Sequence, residues 1–195
     1  MGTFAEGIES IRFACSLVLL IPALGIVLMG RRRNVLVPLW IATVAIVAWL
    51  RFTGWWGLEA SGVWHVLAGV ALVGLGLVAW RRDDMRTDAA VTVLAAGIAA
   101  WTWIPCVGRH LGDILNAARR EPWAQLPPTI AFIVGLFVPL VVLAALDVAA
   151  PKLAERFEHR NVRGAGLAVL LLVGALVAVT LFDDLAGELA RRSSF

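Results

Sequence analysis

Charge is scarce in this sequence. Asp, Glu, Lys and Arg make up 16% of its 195 residues, and 61% of the residues are apolar. A soluble domain of this size has about 25% charged and roughly 45–50% apolar residues. The polar stretches between the apolar blocks are short, and none is long enough to fold as a separate soluble domain. Both shortages argue against a soluble globular protein.

Regular alternation of polar and apolar residues, which marks half-buried strands, is also missing. The apolar residues form long blocks, each close to the ~20 residues that a helix needs to cross a ~30 Å hydrocarbon layer. Backbone polar groups in lipid must find partners within the chain, which favours helices. The expected fold class is therefore all-α, as a polytopic membrane protein. The six predicted transmembrane helices are 13–30, 35–50, 62–80, 89–108, 129–146 and 164–182.

The chain has only two cysteines and three histidines. They do not form the closely spaced groups that ligate zinc or another soft metal, so we expect no metal and no cofactor. The formal net charge of +3 does not call for nucleic acid, because Arg and Lys beside apolar spans act as topology signals and headgroup contacts. The expected surroundings are the lipid bilayer of the cell (plasma or inner) membrane, crossed several times.

Basic residues are unevenly divided between the two sides of the predicted bundle. One side carries Arg31, Arg32, Arg33, Arg81, Arg82, Arg86, Lys152, Arg156, Arg160 and Arg163. The other side carries Arg12, Arg51, Arg109, Arg119, Arg120, Arg191 and Arg192. The positive-inside rule assigns the richer side to the cytoplasm, so both termini are expected to be extracytoplasmic.

The stretch "TWIPCVGRHLGDIL" carries a thiol near the end of a membrane-length block. Pro105 removes a backbone hydrogen-bond donor and Gly108 loosens the turn, so a broken helix at Cys106 is physically reasonable. Polar groups at membrane depth are expensive unless they face a cavity. We hypothesise that Arg109 or His110, three and four residues beyond the cysteine, favours its thiolate.

The chain also repeats its spacing. A shift of 91 residues superposes Cys15 on Cys106 and the second apolar block on the fifth, and the third block matches the sixth after a longer loop. Two halves of three spans each must run in opposite senses, which makes an inverted-topology repeat. We expect one three-helix repeat at 1–87 and another at 88–195, with a functional site near the bilayer midplane between them.

Cys15, the only other cysteine, lies in a long stretch from Thr3 to Gly30 whose strong helix breakers are Pro22 and Gly25. Two bent segments that meet at midplane would bring the two thiols together. A disulfide requires Cα atoms about 4.4–6.8 Å apart. The expected site is therefore a pair of cysteines, each on an interrupted helix.

Several motifs together resemble one family. "WIPCVGRHLGDIL", then "FIVGLFVPLVVLAAL", a basic loop and a final glycine-containing span resemble the second half of the CcdA/DsbD family. Its members are membrane carriers that pass reducing equivalents from cytoplasmic thioredoxin to thiol proteins outside, as in cytochrome c maturation. In the first half, "FACSLVLLIPALG" keeps the cysteine, but Ala14 replaces the proline that the family has before it. Arg109 replaces a proline of the second motif.

The resemblance implies thiol–disulfide exchange through Cys15 and Cys106 as the catalytic pair. The residues it places around them as support are Pro105, Gly108, Arg109 and His110. It implies cytoplasmic thioredoxin and an extracytoplasmic thioredoxin-like protein as partners. Two other functions stay open. One is a small-solute or metal-ion exporter on a related scaffold, with incidental cysteines, and the other is a non-catalytic subunit of a membrane complex.

Overall fold

The computed structural model is all-helical in the part of the chain that it describes, which confirms the expected all-α class. The structure describes residues 2–12, 14–30, 32–53, 62–82, 84–102, 117, 120–149 and 160–178. The elements within these residues are α1 (Gly2–Glu9), a 3-10 turn (Ser10–Arg12), α2 (Ala14–Met29), α3 (Arg33–Phe52), α4 (Gly62–Arg81), α5 (Met85–Thr102), α6 (Leu126–Leu136), α7 (Val138–Ala149) and α8 (Arg160–Ala178). No strand occurs among these residues.

Most helices follow the apolar blocks of the sequence. Helices α2 and α4 match the first and third blocks to within a residue at each end, and α3 extends past Arg51 to Phe52. Helix α5 begins at Met85, four residues before the predicted start, and α8 begins at Arg160. The predicted ends of the fourth and sixth blocks lie outside the described residues.

Length and composition give limited support for membrane crossing. Within the described residues, Arg33–Arg51 is long and apolar enough to cross a bilayer, and the bent pair Leu126–Leu136 and Val138–Leu146 counts as a second if it is one span. Shorter apolar helices occupy Leu19–Met29, Val66–Arg81 and Val162–Ala178. One or two such helices also occur in soluble proteins, so six spans and the inverted repeat stay predictions.

The predicted fifth block is two helices that meet at an angle of 62°. Pro139 lies at the start of the second helix; it has no N–H to donate to the carbonyl of Gly135 and disfavours helical geometry at Val138. The N–H of Phe137 donates to the carbonyl of Ile133 at 3.1 Å, which closes the first helix. The motif "GLFVP" therefore coincides with the bend.

The chain before Cys15 breaks at a place that the sequence did not indicate. Pro22 and Gly25, the expected breakers, lie inside α2, which is continuous from Ala14 to Met29. The interruption is instead the 3-10 turn Ser10–Arg12, just before α2. Serine hydroxyl groups can compete with the helical hydrogen-bond ladder, and the sequence reading did not weigh this effect.

Helix α8 packs between α2 and α4 through glycines. A Cβ on Gly166 would lie 2.6 Å from the carbonyl oxygen of Gly25 in α2, and a Cβ on Gly174 would lie 2.9 Å from that of Gly69 in α4. Such backbone approach is possible only without side chains. The other glycines of α4 contribute less, since a Cβ on Gly76 would lie 3.5 Å from Leu170 and one on Gly74 would meet nothing within 4 Å.

The helices alternate in direction, so their ends gather in two sets. At one end, Arg32 Nη1 donates to Sδ of Met85 at 3.5 Å, so the starts of α3 and α5 meet there. The guanidinium of Arg163 lies 5.8 Å from the ring centroid of Trp80, which joins the start of α8 to the end of α4. We call this the basic end, and the arginines whose side chains are described there are Arg32, Arg33, Arg81, Arg82, Arg86 and Arg163.

The opposite end is rich in tryptophan. Trp64 at the start of α4 packs edge-on against Trp101 at the end of α5, with ring centroids 5.8 Å apart. Trp49 near the end of α3 packs against Trp123, which precedes α6, with centroids 5.2 Å apart. We call this the tryptophan end, defined by these four residues.

The core lies between these two ends. Small side chains on α5 let α3 approach it closely, and the buried alanines are Ala95, Ala96, Ala99 and Ala100. Trp40 of α3 is completely buried, and its indole N–H has no hydrogen-bond partner among the described residues. The core therefore packs tightly around α3, the helix on which much of the site below depends.

Candidate functional site

The two cysteines lie on different kinds of chain segment. Cys15 is the second residue of α2, directly after the 3-10 turn, and its side chain lies outside the described residues. Cys106 and the four predicted supporting residues, Pro105, Gly108, Arg109 and His110, fall in 103–116, which also lies outside them. The predicted approach of the two sulfur atoms is therefore untested, and the neighbouring segments define the site.

Two serine hydroxyl groups hold the break before Cys15. Ser10 Oγ donates to the carbonyl oxygen of Gly7 at 2.7 Å, and Ser16 Oγ donates to that of Ser10, also at 2.7 Å. Ser16, next to the cysteine, is 5% exposed. Hydroxyl donors replace the N–H donors that a continuous helix would supply, so the interruption has its own hydrogen bonds.

Helix α1 packs on α6 just before the bend between α6 and α7. A Cβ on Gly7 would collide with the carbonyl oxygen of Phe132, and a Cβ on Gly135 would collide with that of Phe4. The two glycines let the backbones touch, and Gly135 belongs to the "GLFVP" motif. The chain that leads to Cys15 is therefore anchored on the bend that the sequence motif produces.

The chain that leads to Cys106 ends, within the described residues, at Thr102. One residue earlier in α5, the carbonyl oxygen of Trp101 accepts a hydrogen bond from Arg51 Nη1, which comes from the last turn of α3. Arg51 is half-buried. The Trp101 indole N–H is buried and has no partner among the described residues. A cation at the end of α5 is favoured because that end carries partial negative charge.

The far side of the same segment is also fixed by α3. Trp49 Nε1 donates to the carbonyl oxygen of Pro122 at 3.1 Å, just before α6. Side chains two residues apart on a helix point in different directions. Trp49 and Arg51 therefore reach different carbonyl groups, one on each side of the segment that contains Cys106.

The start of α2 and the end of α5 lie toward the same end of the bundle. Helix α5 runs from Met85 at the basic end to Trp101 at the tryptophan end. Helix α2 runs antiparallel to α8 at the Gly25–Gly166 contact and reaches the basic end at Met29. Cys15, at the other end of α2, is thus oriented toward the tryptophan end, as is the chain that continues to Cys106.

The sequence reading did not identify Arg51, Ser10 or Ser16 as parts of the site. Arg51 was counted only as a basic residue of a loop. Pro105 was the indication in the sequence. Proline has no N–H, so in a helix the carbonyl of Trp101, four residues earlier, lacks its usual hydrogen-bond donor. Among the described residues there is also no group of three or more His, Cys, Asp or Glu side chains that could hold a metal ion.

Comparison with the models of known protein families, with curated proteins and with solved structures finds no match. The likeness of the motifs to the CcdA/DsbD family is therefore carried by the quoted residues alone.

Proposed function

We propose that the chain is a thiol–disulfide oxidoreductase of the cell membrane in which Cys15 and Cys106 form the exchanging pair. The supporting observation is that Cys15 follows a helix interruption and that the described part of α5, which leads toward Cys106, runs to the same end of the bundle. Thiol exchange needs both sulfur atoms within reach and accessible to partners. Segments next to helix ends can meet this need more easily than positions within continuous helices.

The surface of the described helices supports a location in lipid. Many large apolar side chains are exposed on it, among them Ile46, Trp64, Leu67, Val70, Leu94, Val142, Val148 and Leu172. A soluble monomer rarely exposes so many large apolar side chains. We propose six spans in two inverted repeats, at 1–87 and 88–195. With the basic end in the cytoplasm, both termini are extracytoplasmic.

The proposed chemistry moves two electrons and two protons in each step. The dithiol of cytoplasmic thioredoxin becomes a disulfide as it reduces the Cys15–Cys106 disulfide to two thiols, a step that requires the pair to become accessible from the basic end as well as from the tryptophan end. These thiols then reduce the disulfide of an extracytoplasmic thioredoxin-like protein and close again, each step passing through a mixed disulfide. Cys15 is in the first turn of α2, and a helix N-terminus is a position that generally favours a cysteine thiolate.

Mixed-disulfide trapping tests the proposal. Purified Cys15→Ser and Cys106→Ser variants are incubated with a thioredoxin that lacks its resolving cysteine. Its remaining cysteine is joined by a disulfide to a small thiol, which leaves when the cysteine of the variant attacks. At least one single-cysteine variant is expected to form a covalent complex that a reducing agent releases. The double variant, which has no cysteine, is the matched control.

Electron delivery across vesicles is the second measurement. Vesicles that contain the chain and enclose reduced thioredoxin should reduce an external disulfide protein, and both single variants should lose this activity. Equal rates with the cysteine-free chain would contradict the proposal. That result would favour an exporter or a non-catalytic subunit of a membrane complex.

A further inference from the structure

The segment that carries Cys106 lies between the last residues of α5, Trp101 and Thr102, and the turn before α6, which contains Pro122. Carbonyl groups at both of these points bind side chains from the last turn of α3, Arg51 at the first and Trp49 at the second. We infer that Trp49 and Arg51 form a clamp, the α3 clamp, that fixes both ends of this segment. The inference deepens the proposed function, because it names the residues that position its second cysteine.

The need for Arg51 follows from the position of Pro105. In an α-helix the carbonyl of residue i accepts from the N–H of residue i+4, which for Trp101 is residue 105. Proline has no N–H, so residue 105 cannot supply that bond. Thr102 Oγ1 donates to the carbonyls of Ile98 at 2.9 Å and Ala99 at 3.3 Å. Among the described residues, the side-chain donor to the Trp101 carbonyl is Arg51, which comes from another helix.

The surroundings make this bond consequential. Arg51 and the Trp101 carbonyl meet in a partly buried place, where a carbonyl without a donor costs more than it would in water. A hydrogen bond from a charged donor is stronger than one between neutral groups. The charge of Arg51 also faces the negative end of α5. Arg51 therefore sets where the chain leaves α5 on its way to Cys106.

Trp49 acts on the other side by a different combination of contacts. Its N–H binds the Pro122 carbonyl, and its ring packs against Trp123, which is itself 69% exposed. The indole of Trp49 thus holds the turn before α6 by one polar and one apolar contact. Because both clamp residues belong to one rigid helical turn, the two ends of the Cys106 segment are held at a fixed separation.

A double-mutant cycle between Arg51→Leu and Pro105→Ala tests the inference. The cycle is made in a Cys15→Ser background, where Cys106 is the only thiol, and the alkylation rate of Cys106 is measured against pH in detergent. Arg51→Leu alone should change the alkylation rate at a given pH by about tenfold. A change of this size corresponds to the free energy of one charged hydrogen bond. The Pro105→Ala change restores an N–H for the Trp101 carbonyl. In that background, Arg51→Leu should therefore change the rate by less than about twofold.

Arg120→Leu is the matched control, because Arg120 is an exposed arginine just before the turn that Trp49 holds. It should leave the profile unchanged in both backgrounds. All variants should react alike in denaturing detergent. An Arg51→Leu effect of equal size in both backgrounds, whether on the rate or on the amount of folded protein, would overturn the inference.

Trp49→Phe provides an independent measurement at the other end. Phenylalanine keeps an aromatic ring against Trp123 but removes the N–H donor, so the Cys106 alkylation rate should change by about threefold. Pro105→Ala should not restore it, because the lost bond lies at Pro122. An unchanged rate would remove Trp49 from the clamp. Alkylation needs no electron transfer, so a failure of the redox proposal would leave these results interpretable.

Discussion

The two chain segments that lead to the cysteines are fixed by different means. The segment before Cys15 is held by its own neighbours, since Ser10 and Ser16 bind carbonyl groups only three and six residues away. The segment that leads to Cys106 is held from another helix, because Arg51 lies 50 positions from the carbonyl that it binds. One break is therefore a local feature of the sequence, and the other depends on the assembled bundle.

The difference has a consequence for coupling between the two sites. Movement of α3 relative to α5 would act on the Cys106 segment through Arg51 but would leave the serine hydrogen bonds intact. Movement of α1 would act on the segment before Cys15 through the contact of Gly7 with α6. Changes in the two regions should therefore be separable by measuring the reactivity of each cysteine alone.

The largest effect is expected from Gly7→Ala or Gly135→Ala. A Cβ at either position would collide with backbone on the partner helix, so α1 must move away from the bend. Overpacking of this kind costs about 1–3 kcal/mol of unfolding free energy, and more where backbone must shift. Thermal unfolding in detergent would measure the loss. The alkylation rate of Cys15 should change more than that of Cys106.

Gly97→Ala is the control for this prediction, because a Cβ there would meet nothing within 4 Å. Alanine favours the helix over glycine by up to about 1 kcal/mol, so this variant should be neutral or slightly more stable. Equal stability of the Gly7 and Gly97 variants would contradict the close contact of α1 and α6.

A smaller effect is expected from Ser16→Ala. The change removes the donor for the Ser10 carbonyl in a buried place, at a cost of about 1–2 kcal/mol. Thr43→Ser is a suitable control, because serine keeps the hydroxyl group that donates to the carbonyl of Leu39 within α3. Cys15 should become more reactive and Cys106 should not. An equal change at both cysteines would show that the break before Cys15 is not locally controlled.

The sequence predicted the helices better than their interruptions. Long apolar blocks leave little choice but helix, and α2, α3 and α4 lie where the blocks indicated. Proline in the fifth block marked a true bend, because Pro139 follows the break by two residues. Pro22 lies in the middle of continuous α2, however. A proline shows where a hydrogen bond is missing, but packing decides whether the helix bends there.

The parts of the site that were missed are those that join distant residues. Nothing in the residues around Arg51 indicates that its partner is the Trp101 carbonyl, since that contact exists only when α3 and α5 run parallel. The glycine contact between α1 and α6 is similar, because Gly7 and Gly135 come from distant parts of the chain. Single-sequence patterns report local preferences, and these contacts are set by the packing of the whole bundle.

Thr102→Val should have an effect of at most about 1 kcal/mol on stability. Valine has nearly the same shape as threonine but lacks the hydroxyl that donates to Ile98 and Ala99. If the Cys106 segment is held mainly by α3, the Cys106 alkylation rate should change far less than in Arg51→Leu. A larger change in the threonine variant would mean that local bonds at the end of α5 control this segment after all.

The smallest effect on stability is expected at the opposite end of α5, where hydrogen bonds between neighbouring residues cap the start of the helix. The N–H and hydroxyl of Thr87 donate to the Asp84 carboxylate at 2.6 and 2.7 Å. These bonds, first the backbone bond and then the side-chain bond, lower the pKa of Asp84 below its ordinary value of 3.8. A lowered pKa in the folded state means that the carboxylate stabilises the fold above about pH 4 and loses this contribution as the pH falls through the folded value.

The difference in melting temperature between the wild type and Asp84→Ala should therefore be small near neutral pH and vanish in acid, below the lowered pKa. Because this cap is exposed and local, the Cys106 alkylation rate at the other end of α5 should stay unchanged. Thermal melts from about pH 3 to pH 7, with alkylation in parallel, would check both expectations. A melting difference that grew in acid would have the wrong sign for a stabilising carboxylate. A changed alkylation rate of Cys106 would mean that the two ends of α5 are coupled. The hydrogen bonds of Thr87 and Asp84 would then not act only locally.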